Sequence, residues 1–152
     1  MDFTEIGVNE NIVRALKEIN ITEATEVQVK GIPLATKGKD VIGMSRTGSG
    51  KTLAFGVPAL ECVKPGDGLQ VLIMTPTREL AYQISAELDK FGKYTKFNQA
   101  VVFGGVAMDP QIRNMNRADI VVATPGRLLD HMRRGNVNFS KIKSFILDEA
   151  DK

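Results

Sequence analysis

The stretch "DVIGMSRTGSGKT" (residues 40–52) joins a short apolar segment to a glycine-rich turn that ends in Lys51 and Thr52. The segment "DVIG" (40–43) has the length of a buried strand, and the region near 51–63 has the length of a helix. Glycines let the backbone approach an anion closely, and amides at a helix start direct positive partial charge towards it. The stretch therefore predicts a phosphate-binding loop. The alternative is a glycine-rich turn that only joins strand to helix.

The rest of the chain repeats this alternation of strand and helix. Four further apolar runs are of strand length: "LQVLIMT" (69–75), "QAVVF" (99–103), "DIVVAT" (119–124) and "SFILD" (144–148). Helices are predicted near 9–19, 25–36, 51–63, 77–92, 109–116 and 125–134. Apolar runs without polar alternation are typical of strands buried on both faces. The pattern predicts an α/β fold, with a mainly parallel sheet flanked by helices on both faces.

Composition narrows the class of protein. The 152 residues, 43% of them hydrophobic and 25% charged, predict one globular domain with a substantial core. No apolar run approaches the roughly 18 residues that a membrane span requires, so no membrane association is expected. The start "MDFTEIGVNE" carries no secretory signal, and the single Cys62 excludes an internal disulfide. These features favour a cytoplasmic location, with Cys62 as a small core residue.

Charge alone does not indicate a nucleic-acid partner. Twenty basic and eighteen acidic residues give a net charge of +2, and no concentrated basic patch is visible. Short groups such as Arg133 with Arg134 are interpreted as ordinary solvated surface. The single His131 has no ligand or triad partner at a recognisable spacing, and it is predicted to lie at the surface or at a helix end.

Polar or glycine-rich clusters follow each of the five predicted strands. They are "GMSRTGSGKT", "TPTREL", "GGVAMD", "TPGR" and "DEAD". Ligands of open α/β sheets bind outside the carboxyl ends of the strands, so parallel strands would bring all five clusters to one active edge. A purely structural domain would need turns there, but not this content of arginine, threonine and carboxylate.

The chemistry expected at this edge comes from four residues. Lys51 can reach the β- and γ-phosphates of a nucleotide, and the Thr52 hydroxyl can ligate Mg²⁺. Asp148 ends the apolar run "FIL", where its carboxylate can hold Mg²⁺ through water. Glu149 is placed to orient or deprotonate an attacking water. The residues thus predict phosphoryl transfer from a nucleotide.

Five motifs in this order resemble the first, N-terminal RecA-like domain of DEAD-box ATP-dependent RNA helicases. They are "SRTGSGKT" (45–52), "PTREL" (76–80), "GG" (104–105), "TPGR" (124–127) and "DEAD" (148–151). That family usually has alanine where Ser45 stands here. The resemblance implies a RecA-like P-loop NTPase fold for residues 1–152, with ATP and Mg²⁺ as cofactors. It also implies RNA as a partner, contacted through its backbone without sequence preference.

The resemblance also implies an adenine-sensing segment, "NITEATEVQ" (20–28), within an amino-terminal part at 1–37 that precedes a P-loop core at 38–152. Gln28 stands where the family recognises the adenine edge, Thr25 where it supports the loop, and Phe3 where an aromatic packs on the base. Asn20, Ile21 and Ala24 depart from the family pattern. From the residues alone, Phe3 would be interpreted as a hydrophobic staple against the first helix, and this alternative stays open.

The resemblance assigns the following roles. The catalytic residues are Lys51, Asp148 and Glu149. The nucleotide-binding residues are Phe3, Thr25, Gln28, Thr47, Gly48, Ser49, Gly50, Lys51 and Thr52. The RNA-binding residues are Arg78, Gly104, Gly105, Thr124, Gly126 and Arg127, and the Mg²⁺ ligands are Thr52 and Asp148.

In the resembled family, the first domain continues beyond "DEAD", and a second RecA-like domain supplies an arginine finger. The chain is therefore expected to be an incomplete first domain that binds nucleotide, hydrolyses it very slowly and does not unwind duplexes. Its last strand is expected to leave an apolar edge prone to self-association.

Two other functions stay open on the sequence. One is a P-loop NTPase that acts on a substrate other than RNA, and "PTREL" and "TPGR" argue against it. The other is a non-catalytic interaction module, which would not need Lys51, Asp148 and Glu149 together.

Overall fold

The computed structural model describes residues 8–19 and 51–148. These ranges contain five helices: α1 (Glu10–Glu18), α2 (Lys51–Cys62), α3 (Arg78–Phe91), α4 (Met108–Arg117) and α5 (Pro125–Arg133). They contain four strands: β1 (Val71–Met74), β2 (Gln99–Val102), β3 (Ile120–Ala123) and β4 (Ser144–Leu147). Every helix and strand predicted within these ranges is confirmed. The predicted strand at 40–43 and helix at 25–36 lie outside the described residues.

The four strands form one parallel sheet in the order β2-β3-β1-β4. Ile73 of β1 is paired with Val122 of β3 on one side and with Ile146 of β4 on the other. All four residues of β3 are buried, as is expected of an inner strand covered on both faces. The prediction of a parallel sheet is confirmed.

Helices cover both faces of this sheet, because successive strand residues point to opposite sides. On β1, Val71 and Ile73 join a core with residues of α1, α2 and α3. Leu72, which lies between them, joins a second core with residues of α4 and α5. Two separate cores, one on each face, confirm the predicted three-layer arrangement.

Two structural predictions for single residues have different outcomes. Cys62 is partly buried against the core formed with α1, α2 and α3, which is close to the expected core position. His131 was predicted at the surface or at a helix end: the surface position is wrong, because its side chain is 0% exposed, and the helix-end position is confirmed. It lies in the last turn of α5 and is enclosed by polar partners, described below, from outside that helix.

The sheet ends at β4 within the described part of the chain. Ile146 is buried there, but Phe145 is 45% exposed. The expected self-association through this strand stays a prediction. Among the described residues, no helix is long and apolar enough to cross a membrane.

Tight packing at the end of α3 yields a test of the fold. A Cβ atom added at Gly92 would lie 2.5 Å from Phe97 Cε1 and 3.1 Å from the Leu88 carbonyl oxygen. We therefore expect Gly92→Ala to lower the free energy of unfolding by about 1–3 kcal/mol, because this part of the core must shift.

Urea denaturation followed by circular dichroism measures this loss. Gly104→Ala is the control, since an added Cβ at Gly104 meets no atom within 4 Å. Equal stability of the two variants would contradict the packing at Gly92.

Candidate nucleotide and RNA interface

The register of the sheet brings the residues after three strands to one edge. The Thr75 amide donates to the Ala123 carbonyl at 3.0 Å, and the Thr124 amide donates to the Val102 carbonyl at 2.9 Å. The Asp148 amide donates to the Met74 carbonyl at 2.8 Å. The segments after β1, β2 and β3, together with Asp148 after β4, therefore lie along the carboxyl edge, as predicted. The predicted phosphate-binding loop, apart from Lys51 and Thr52, lies outside the described residues.

The start of α3 presents Arg78 at this edge. Thr77 is the N-cap, and its hydroxyl accepts a hydrogen bond from the Leu80 amide at 3.2 Å. The Arg78 guanidinium lies 5.4 Å from the centre of the Phe103 ring, a distance suited to a cation–π contact. Tyr82, one turn further along α3, packs on the same ring with 5.3 Å between ring centres. Arg78 is thus held beside the end of β2.

Gly104 and Gly105 follow Phe103 and are exposed. Gly105 has a φ of +84°, a conformation that side chains other than glycine adopt only under strain. An added Cβ at either glycine would meet no atom within 4 Å. The turn therefore offers open backbone to a ligand.

The start of α5 presents a second arginine. Pro125 occupies the first turn of the helix, where its missing amide hydrogen costs nothing. Thr124 is the N-cap, but its hydroxyl makes no capping hydrogen bond. Gly126 faces open space, and Arg127 is half-buried with its Nη1 3.2 Å from Gln111 Oε1. The Thr124 hydroxyl thus does not cap its helix, and Gly126 has open space beside it.

A buried polar cluster lies behind these segments. Gln111 of α4 donates through Nε2 to the Phe103 carbonyl at 2.8 Å, and its Oε1 lies 2.9 Å from His131 Nε2. Asn136 Nδ2 lies 3.2 Å from His131 Nδ1. Burial lowers the pKa of His131, and the positive charges of Arg127 and Arg134 add to that shift while Asp130 opposes it.

The residues with oxygen ligands for Mg²⁺ fit a nucleotide-bound ion. Asp148 is 4% exposed and directly follows β4, and the half-buried Thr52 lies in the first turn of α2. No group of three or more His, Cys, Asp or Glu side chains in the described ranges could hold a metal ion. Mg²⁺ does not require such a cage, because it is usually bound by one or two carboxylates with phosphate and water.

Thr52 also contacts the neighbouring helix. Its hydroxyl hydrogen-bonds to the Glu87 carboxylate of α3. Burial raises the pKa of Glu87, and this hydrogen bond opposes the rise. The first turn of α2 is therefore tied to α3, the helix that begins with Arg78.

Some of the predicted site residues lie within the described part of the chain, and others lie outside it. Those placed along the carboxyl edge are Arg78, Gly104, Gly105, Thr124, Gly126, Arg127 and Asp148. Lys51 is the first residue of α2. Those outside the described residues are Phe3, Thr25, Gln28, Thr47, Gly48, Ser49, Gly50 and Glu149.

Sequence reasoning missed the cluster formed by Gln111, His131 and Asn136. One signal was present, because Leu128 and His131 are three residues apart and share the buried side of α5. Nothing in the local sequence around Gln111 or Asn136 identifies them as partners of His131.

Comparison with curated relatives gives consistent matches. The chain is 41% identical to a probable ATP-dependent RNA helicase of Methanocaldococcus jannaschii, over 100% of this chain and 42% of that protein. It is 42% identical to DEAD-box ATP-dependent RNA helicase 20 of Arabidopsis thaliana, over 99% of this chain and 31% of that protein. The chain thus spans less than half the length of these relatives.

Solved structures share the fold. The crystal structure of a DEAD box protein from the hyperthermophile Methanococcus jannaschii matches with a TM-score of 0.93 and 41% identity. That match covers 98% of this chain and 41% of the other. The crystal structure of a hypothetical ATP-dependent RNA helicase from Sulfolobus tokodaii matches with a TM-score of 0.81 and 36% identity. That match covers 94% of this chain and 51% of the other. The RecA-like α/β fold is confirmed.

The family model described as DEAD/DEAH box helicase matches residues 25–152, which is most of the chain. Together with the relatives, this match confirms the resemblance drawn from the five motifs. The chain belongs to the DEAD/DEAH box helicase family.

Proposed function

We propose that this chain is the ATP-binding part of an ATP-dependent RNA helicase, in which ATP hydrolysis is coupled to RNA binding and duplex unwinding. The observation that carries the proposal is the convergence of Asp148, Arg78, Gly104–Gly105 and Arg127 on one edge of a parallel sheet. Relatives that are 41% and 42% identical to this chain are named ATP-dependent RNA helicases, and the chain spans less than half the length of each. By itself the chain should bind nucleotide without unwinding duplexes.

The nucleotide site combines the start of α2 with the end of β4. The first turn of a helix favours a bound anion through its unpaired amides and positive partial charge, and α2 begins at Lys51, whose charge would add to this attraction. The Thr52 hydroxyl and the Asp148 carboxylate would hold Mg²⁺, which would supply neutralisation of the phosphate charge. Glu149 would orient or deprotonate the attacking water. Phe3, Thr25 and Gln28 would select adenine, and residues 47–50 would enclose the phosphates.

The RNA surface consists of the remaining predicted residues on the same edge. Arg78 and Arg127 supply charge, and the Gly104–Gly105 turn supplies open backbone. Thr124 supplies a hydroxyl that does not cap its helix, and Gly126 leaves room for close approach. Such groups contact phosphate and ribose and do not read base sequence. RNA binding should therefore be weak in this chain, sensitive to salt and independent of sequence.

We also propose a cytoplasmic location, on the basis of the single cysteine. The two alternatives, an NTPase acting on another substrate and a non-catalytic module, make different predictions for the longer protein. RNA would not stimulate the ATPase of the first, and the second would have no ATPase. An RNA-dependent ATPase activity would exclude both.

The nucleotide site can be tested on the 152-residue chain by calorimetric titration with ADP and Mg²⁺. Lys51→Ala should lower the affinity by at least about tenfold, or about 1.4 kcal/mol, because it removes the positive charge next to the phosphates. GDP should bind more weakly than ADP if Gln28 recognises adenine.

Lys64→Ala is the matched control, since Lys64 is an exposed lysine just beyond α2. Asp148→Asn should abolish most of the gain in affinity that Mg²⁺ gives over EDTA. Unchanged ADP affinity in Lys51→Ala, with the protein still folded, would contradict the proposed site.

The RNA surface can be tested by titrating single-stranded RNA at several salt concentrations. Arg78→Ala and Arg127→Ala should each weaken binding equally for RNAs of different sequence. Each should reduce the slope of log affinity against log salt by about 0.7, because one phosphate contact is lost.

Arg117→Ala is the control, because this exposed arginine ends α4 just before β3 begins, at the opposite edge of the sheet. An identical loss of affinity in all three variants would indicate nonspecific attraction and would count against the assigned surface.

A further inference from the structure

We propose that Gln111 is a positioning residue that holds the Gly104–Gly105 turn and Arg127 in a fixed relation, and that a neutral His131 holds Gln111 in turn. The inference rests on the proposed RNA role of these two segments, which it deepens. Gln111 itself is buried, with 5% of its surface exposed, so it would act through the groups that it orients.

The amide nitrogen of Gln111 fixes the end of β2. Its Nε2 donates to the Phe103 carbonyl at 2.8 Å in a buried hydrogen bond. Phe103 immediately precedes Gly104, and Arg78 lies over its ring. The position and tilt of the peptide group between Phe103 and Gly104 therefore depend on the Gln111 side chain.

The amide oxygen of Gln111 fixes the start of α5. Its Oε1 accepts from Arg127 Nη1 at 3.2 Å and lies 2.9 Å from His131 Nε2. An amide oxygen has two lone pairs, so it can accept from both groups at once. Gln111 thus connects the turn after β2 to the arginine after β3, across two separate segments of chain.

These contacts determine the tautomer of His131. Because Gln111 Oε1 can only accept, His131 Nε2 carries the proton and donates it. Nδ1 is then the acceptor, and it lies 3.2 Å from Asn136 Nδ2, which donates. The backbone N–H of Asn136 donates to the His131 carbonyl at 2.9 Å, which holds Asn136 in place. Donors and acceptors match throughout this chain of hydrogen bonds.

This match of donors and acceptors also requires that the His131 imidazole is neutral. A second proton, on Nδ1, would face the N–H group of Asn136 and would lie near the positive charges of Arg127 and Arg134. Asp130 is the opposing negative charge, and Gln111 and Asn136 are uncharged. The folded protein therefore lowers the pKa of His131, so stability from this network is complete above pH 6.5 and falls as the pH drops below it.

Nuclear magnetic resonance of the imidazole nitrogens tests the network directly. His131 is the only histidine of the chain, so its two ¹⁵N signals need no assignment. We expect the Nε2–H tautomer and a midpoint below 6.5. Gln111→Leu should mix the tautomers, and Gln111→Glu should raise the midpoint, because a carboxylate stabilises the imidazolium.

The amide signals of Gly104 and Gly105 provide a second readout. They should move in both Gln111 variants, because neither leucine nor glutamate can donate to the Phe103 carbonyl. Asn114→Ala, an exposed change on the same helix, is the control and should leave all these signals in place. If Gln111→Leu does not fold, Gln111→Glu carries the test, since it retains size and the acceptor for Arg127.

RNA titrations test the positioning role. Gln111→Leu should weaken binding about threefold or more, and the loss should be much smaller in an Arg127→Ala background, because the two residues act together. Equal losses in both backgrounds would overturn the role through Arg127.

The two proposals fail in different ways. An ordinary midpoint near 6.5 that Gln111→Leu leaves unchanged would overturn the network, while Arg127→Ala could still lose RNA affinity. Unaltered RNA binding in Arg127→Ala would instead overturn the proposed RNA surface and, with it, the positioning role.

Discussion

The parallel pairing of β1 with β3 and β4 is the constraint on which the rest of the structure depends. The three strands are in register over four residues each, so their carboxyl ends stop at the same level. Backbone hydrogen bonds continue one residue further at Thr75 and Asp148. A shift of one residue in the register of a strand would turn each of its buried side chains to the other face of the sheet. It would also move the motif that follows the strand by one residue along the strand direction. The same strand register is therefore required for the packing of the core and for the alignment of the motifs along the carboxyl edge.

The sequence predicts this arrangement well, because its signals are local. Strand-length apolar runs and helix-length segments alternate, and each described element is found where it was predicted. The positions of Arg78, Arg127 and Asp148 at one edge then follow from the parallel sheet alone. The site was predictable to the extent that each residue directly follows a strand or begins a helix.

The buried polar cluster was not predictable by such reasoning. His131 is polar and lies next to charged residues in the sequence, which favours the surface. Its burial depends on Gln111, twenty positions away, and on Asn136, beyond the end of α5. Only the packing of α5 on the sheet brings these segments together. A polar side chain buried without hydrogen-bond partners would destabilise the fold. The sequence pattern of α5 alone therefore cannot show whether His131 is buried, because its partners lie outside that helix. The bond from Thr52 to Glu87 was missed for the same reason.

Two similar tetrapeptides show how a change of one residue alters the way a helix begins. "TPTR" (75–78) follows β1 and "TPGR" (124–127) follows β3, and both first threonines continue the sheet ladder. In the first motif, Thr77 caps the helix with its hydroxyl and α3 begins at Arg78. In the second, glycine replaces that threonine, and α5 begins two positions earlier in the motif, at Pro125. The earlier start places Arg127 within the first turn, where its guanidinium reaches Gln111. The two arginines thus occupy equivalent positions in sequence but are held differently, one over an aromatic ring and one in a buried hydrogen-bonded network.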